Sequence, residues 1–99
     1  FTLTVSGPEE GPVLRAAARL RDAMRAAIRY PSPSNMEVEI LGPAPAPVVK
    51  VNNRYRYRVL WIGRNDHATR EVLGYYIRAF HQKKENRGMN LFVDCNGAD

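Results

Sequence analysis

Residues 54–62 read Arg-Tyr-Arg-Tyr-Arg-Val-Leu-Trp-Ile. The run is dense in aromatic and β-branched residues, which suit a pleated, half-buried surface, so it reads as a strand. With a period of two, Tyr55, Tyr57, Val59 and Trp61 share one face. Arg56, Arg58, Leu60 and Ile62 share the other. A strand with one such greasy face needs a covering layer, and the sequence on either side supplies two helices that fit.

Upstream, Asn52-Asn53 reads as a turn. Before it lies Gly42-Pro43-Ala44-Pro45-Ala46-Pro47, with proline at every second position. This strap, taken as residues 43–50, is expected to be extended, rigid and unable to join a sheet interior. Met36 to Leu41 alternates and forms the second strand, with Met36, Val38 and Ile40 one way and Glu37 and Glu39 the other. Val13 to Arg29 is a helix. Its apolar stripe is Val13, Ala17, Leu20, Met24 and Ala27, while Arg15, Arg19, Arg25 and Arg29 lie on the opposite face with Asp22. Glu9, Glu10 and Pro12 are chemistry for a helix start, and Pro31 and Pro33 for its end. Phe1 to Ser6 is a first strand, with Leu3 and Val5 on one side and Thr2, Thr4 and Ser6 on the other.

Downstream, Gly63 to Asp66 is a loop, with Asp66 as N-cap of a second helix from His67 to Lys84. Its stripe is Val72, Leu73, Tyr76, Ile77 and Phe80, and Lys83 and Lys84 sit near its end, where the helix dipole favours cations. Glu85 to Met89 is a polar turn. Asn90 to Cys95 is a fourth strand, with Leu91 and Val93 inward. The order is βαββαβ. It predicts an α+β two-layer sandwich of the ferredoxin-like kind: a four-stranded antiparallel sheet with two helices on one face and the other face open to solvent. With the second and third strands as neighbours, Glu37 and Glu39 are expected to face Arg56 and Arg58.

Ninety-nine residues make one domain, 1–99. No apolar run approaches the ~20 residues of a membrane span. Phe1 opens directly on strand-like sequence without a charged leader, which argues against a signal peptide and implies a piece of a longer protein. Cys95 is the only cysteine, so no internal disulfide forms. Lys and Arg number 15 against 10 Asp and Glu, a net +5. Most of the excess is arginine, whose forked guanidinium suits phosphate or carboxylate, so the composition favours nucleic acid or an acidic peptide as partner. His67 and His81 lack a carboxylate or cysteine at metal-binding spacing.

Two motifs together carry a family resemblance. Leu41-Gly42-Pro43-Ala44-Pro45-Ala46-Pro47, followed shortly by Arg54-Tyr55-Arg56-Tyr57-Arg58-Val59-Leu60, resembles the end of the primosomal replication-restart helicase family, primosomal protein N′. Phe92-Val93-Asp94 resembles that family's last strand, although the family's usual Asp-Val-Asp-Pro turn is here Asp94-Cys95-Asn96-Gly97. The resemblance implies a fold similar to ribosomal protein S10. It implies a parent that is a bacterial, cytoplasmic, nucleoid-associated ATP-dependent 3′–5′ DNA helicase using ATP, Mg2+ and structural Zn2+. It also implies a domain that binds forked or single-stranded DNA, helps bind the acidic C-terminal tail of single-strand-binding protein, and works with other primosome proteins. The helicase motifs and zinc cysteines of the family are not in this sequence, so no cofactor and no ATPase activity are expected of it. The family arginine that grips the tail precedes the second helix. Arg64 is the nearest residue here and Arg70 the next.

The candidate contact residues are therefore Arg15, Arg19, Arg25 and Arg29 on the first helix, Arg54, Tyr55, Arg56 and Arg58 on the third strand, and Arg64 and Arg70. Each has a plainer reading. A basic helix face is often only solvated, and Arg56 and Arg58 can pair with Glu37 and Glu39. Tyr57 and Trp61 are expected in the core, leaving Tyr55 the most exposed of the three aromatics. Two other functions suit the βαββαβ order. An acylphosphatase-type hydrolase needs a phosphate cradle after the first strand, where Glu9 and Glu10 would repel the substrate. A ferredoxin-like RNA-binding domain needs a Gly-aromatic-Gly/Ala core on the third strand, which is missing here.

Overall fold

The computed structural model describes residues 1–28, 38–63 and 67–94. Its elements are β1 (Thr2–Gly7), α1 (Glu10–Ile28), β2 (Glu39–Val51), β3 (Arg54–Ile62), α2 (His67–Gln82) and β4 (Asn90–Asp94), with a 3₁₀ turn at Lys84–Asn86. The strands form one antiparallel sheet in the order β2-β3-β1-β4, the expected βαββαβ sandwich. β3 therefore sits between β2 and β1. Phe1 and Trp61 lengthen the β1–β3 ladder by exchanging backbone hydrogen bonds, each 2.9 Å.

Alternation decides which residues meet the helices. Leu3 and Val5 of β1, Ile40 of β2, Tyr57, Val59 and Trp61 of β3 and Leu91 of β4 are buried against Val13, Ala16, Ala17, Leu20 and Met24 of α1 and Leu73 and Phe80 of α2. The α1 stripe is as expected except at its end, where Ala27 is exposed. α1 also begins earlier than its apolar stripe, at Glu10, and the carbonyl of Glu9 accepts from the amide of Val13. α2 ends at Gln82, two residues short of expectation. At this end the Phe80 carbonyl accepts twice, from the Lys83 amide at 3.4 Å and from the Asn86 side-chain amide at 3.0 Å, so a terminal helix carbonyl is well satisfied.

The main departure concerns β2. The strap does not follow the strand but continues it as the sheet's edge, where a missing proline N–H costs no ladder bond. It pairs irregularly. Leu41 is opposite Leu60 and Ala44 opposite Arg58, and the five-residue step from Pro45 to Lys50 faces a two-residue step from Tyr57 to Tyr55. The Gly42–Pro43 peptide is cis, and Gly42 has φ +109°. A Cβ at Gly42 would lie 2.7 Å from the Arg58 carbonyl, so this bulge requires glycine. Because of this register, Glu39 lies opposite Ile62, not opposite Arg56 or Arg58. The expected cross-strand pairing is thus corrected for Glu39, while Glu37 lies outside the described residues. The β2–β3 turn is Asn52-Asn53 with φ 52° and 61°, the left-handed pair that matches hairpin twist and that asparagine tolerates.

Both sheet edges are capped from the helices. Arg21 donates to the Gly42 carbonyl at 3.0 Å, and Arg25 donates Nη2 to the Ile40 carbonyl at 2.6 Å, both on edge strand β2. At the other edge the Leu91 amide donates to His81 Nε2 at 3.2 Å, so the ring carries its hydrogen on Nδ1, 3.0 Å from the Ile77 carbonyl. Such caps leave fewer free backbone groups for edge-to-edge association.

Candidate functional site

The sheet face turned away from the helices collects the outward residues of all four strands. Directly opposed residues share a face, so the register assigns it. One row reads Leu41, Leu60, Thr2, Asp94, and the next Ala44, Arg58, Thr4, Phe92. A third carries Arg56, Ser6 and Asn90. Four of the six exposed large apolar side chains among the described residues are on this face: Leu41, Leu60, Ile62 and Phe92. The face is less open than alternation implies. Thr2, Thr4 and Ser6 along its middle are buried, at 1%, 2% and 8% exposure.

Charge is graded along this face. Arg54, Arg56 and Arg58 occupy the end near the β2–β3 turn, and Glu39 and Asp94 the opposite end. Arg54 is fixed: it donates to Ser6 Oγ at 3.1 Å, to the Ser6 carbonyl at 3.0 Å and to the Gly88 carbonyl at 3.0 Å. Arg56 and Arg58 are half-buried, and neither guanidinium has a hydrogen-bond or ion-pair partner among the described residues. With Glu39 held away by the strap's register, these are two cations whose forked donors are free to take an anion.

The remaining expected contact residues are dispersed. Arg15 is exposed on α1, in the layer on the far side of the sheet from Arg56 and Arg58. Arg19 donates to Asn86 Oδ1 at 3.2 Å, and Arg25 is engaged with Ile40. Arg21, which the sequence reading passed over, donates to Asp22 at 2.9 Å and holds that carboxyl below the usual carboxylate range. The helix arginines thus do not form one free row. Tyr55 is half-buried on the helix side, with Lys50 Nζ 5.3 Å from its ring centre. Arg70 is exposed in the first turns of α2. Arg29, Arg64 and the proposed cap Asp66 lie outside the described residues.

The aromatic residues settle the alternatives further. Tyr57 and Trp61 are core, as expected. The Tyr57 hydroxyl donates to Glu10 at 2.8 Å, which raises its pKa, so Glu10 is occupied in bracing the loop after β1. The β3 aromatics face the helices, whereas an RNA-recognition sheet shows them outward. Phe92, which sequence reading did not single out, is the outward aromatic. With Leu91 and Val93 inward, parity along the strand turns Phe92 outward.

A second feature is a groove of about 300 Å³ between α1 and α2, lined by Ala16, Leu20, Ala23, Tyr76, Ala79 and Phe80, among others, with Arg19, Lys83 and Tyr75 also contributing. Tyr75 is 60% exposed, the most exposed large apolar side chain described. No acidic side chain lines the groove. Among the described residues, no three His, Cys, Asp or Glu side chains gather as a metal ion would need, and no helix is long and apolar enough to cross a membrane.

A family model described as the primosomal protein N C-terminal domain matches residues 1–97 of the chain. No curated protein matches it.

Proposed function

Because the chain belongs to the family of primosomal protein N C-terminal domains, we propose that it is the DNA- and protein-binding module of a helicase that restarts stalled replication forks. The family gives it a primosomal replication-restart role. In this reading the domain contacts forked DNA, while unwinding, with its ATP, Mg2+ and zinc, belongs to the parent enzyme in the bacterial cytoplasm. The observation that carries the reading is the pair Arg56 and Arg58, unpartnered among the described residues on the outward face of a central strand. The central strand fixes the backbone beneath both arginines, so only their side chains remain to be ordered when a phosphate binds. The test is forked-DNA affinity after reversal of both arginines. Loss of binding supports the reading, and unchanged affinity removes it.

The groove between α1 and α2 supports the protein-binding half. Its apolar lining accepts a greasy side chain, and Arg19 and Lys83 suit carboxylates beside it, as in the acidic tail of single-strand-binding protein. Lys83→Glu is expected to weaken binding of an acidic peptide ending in Asp-Phe by roughly fivefold, since it replaces an attractive exposed charge with a repulsive one. Calorimetric titration showing equal affinity would place the peptide elsewhere, with Arg70 the next surface to test.

A further inference from the structure

Phosphate contact explains Arg56 and Arg58 but not the apolar residues that share their face. Phe92 is 42% exposed, and Leu41, Leu60 and Ile62 expose 38%, 37% and 49%. These side chains are not scattered. Phe92 lies in the same row as Arg58, two strands away across Thr4, and Leu60 follows Arg58 on β3 by one step of the pleat. Adjacent strands are about 4.8 Å apart, so the backbones beneath the Phe92 ring and the Arg58 guanidinium are about 10 Å apart. The intervening Thr4 is buried, so the Phe92 ring and the Arg58 guanidinium flank it as the large groups of this row.

Resting on the functional reading above, we propose that this face binds unpaired DNA, with a base stacked on Phe92 and the backbone phosphates over Arg56 and Arg58. The apolar rim of Leu41, Leu60 and Ile62 contacts neighbouring bases or sugars. The argument is one of complementarity. A single strand offers exposed base faces and phosphates side by side, and aromatic rings interleaved with cations are the surface that takes both. A duplex hides its base faces, and its grooves admit a helix or a two-stranded ribbon rather than the face of a four-stranded sheet. Glu39 and Asp94 at the far end repel phosphate, so the backbone is confined to the Arg54–Arg58 end of the face.

The test is fluorescence anisotropy of the 99-residue chain with a labelled oligo-dT single strand and with a blunt duplex of equal length. Phe92→Ala is expected to lower single-strand affinity roughly tenfold while leaving duplex affinity within about twofold. Phe92→Trp keeps a stacking surface and is expected to keep the affinity, which separates loss of stacking from loss of fold. Single-strand binding by Phe92→Ala equal to that of the unaltered chain overturns the proposal, as does an equal loss on both ligands. If Phe92→Ala changes nothing while reversal of Arg56 and Arg58 abolishes fork binding, the functional reading stands and the stacking proposal falls.

Discussion

Reversing Arg56 and Arg58 to glutamate is expected to weaken forked-DNA binding at least roughly 100-fold. A hydrogen bond to a charged group contributes about 1.5–3 kcal/mol, and two are lost at once. Each reversal also places a carboxylate where a phosphate is to sit. Loss of two phosphate contacts should flatten the slope of log affinity against log salt by about 2. Reversal of Arg15, by contrast, should leave both quantities nearly unchanged, because α1 lies on the other side of the sheet. Neither Arg56 nor Arg58 bonds a described residue, so the double variant should stay folded, losing only the packing of the two arginine stems, which its melting curve checks. A binding isotherm with unchanged slope would show that the phosphates lie elsewhere.

Trp61→Ala has the largest expected effect on the fold. Trp61 is 1% exposed and lies among the core residues of both layers. Truncating a buried tryptophan costs about 3–5 kcal/mol, against a total of about 5–15 kcal/mol for a domain of this size. The melting temperature should fall by about 15–30 °C, followed by circular dichroism. Its indole Nε1 is buried without a partner among the described residues, so Trp61→Phe should be much milder: it loses volume but also removes an unsatisfied donor. If Trp61 were instead a stacking platform, Trp61→Ala would abolish DNA binding with little loss of stability, the reverse of this expectation.

Trp61 and Arg58 differ in how much of their role is legible in the sequence. Alternation along residues 54–62 separated Trp61 from Arg58 correctly, because a strand's side-chain period is a local property. The same local rule gave β1 and β4. Register was not legible. It depends on how many extra residues β2 carries between its pairing points, and nothing in Pro-Ala-Pro-Ala-Pro counts them. Glu39, expected with Glu37 to face Arg56 and Arg58, therefore lies opposite Ile62 instead. The helix arginines failed for a related reason. A helical wheel shows that Arg19 and Arg25 avoid the stripe, but not that their flanks abut Asn86 and the β2 edge. Asn86, read as part of a polar turn, and His81, read only as a poor metal ligand, acquire their capping roles from the packing of α2 on its neighbours.

The free arginine pair on the open face and the family membership carry the central claim, that this face of the sheet is where the domain meets DNA. The direct measurement is an NMR titration of the 15N-labelled chain with a forked oligonucleotide. Amide shift changes are expected to concentrate at Arg54–Arg58, Thr4 and Asn90–Phe92, with Arg15 and the exposed side of α1 unmoved. Changes confined to α1 and α2, with β3 and β4 silent, would contradict that claim.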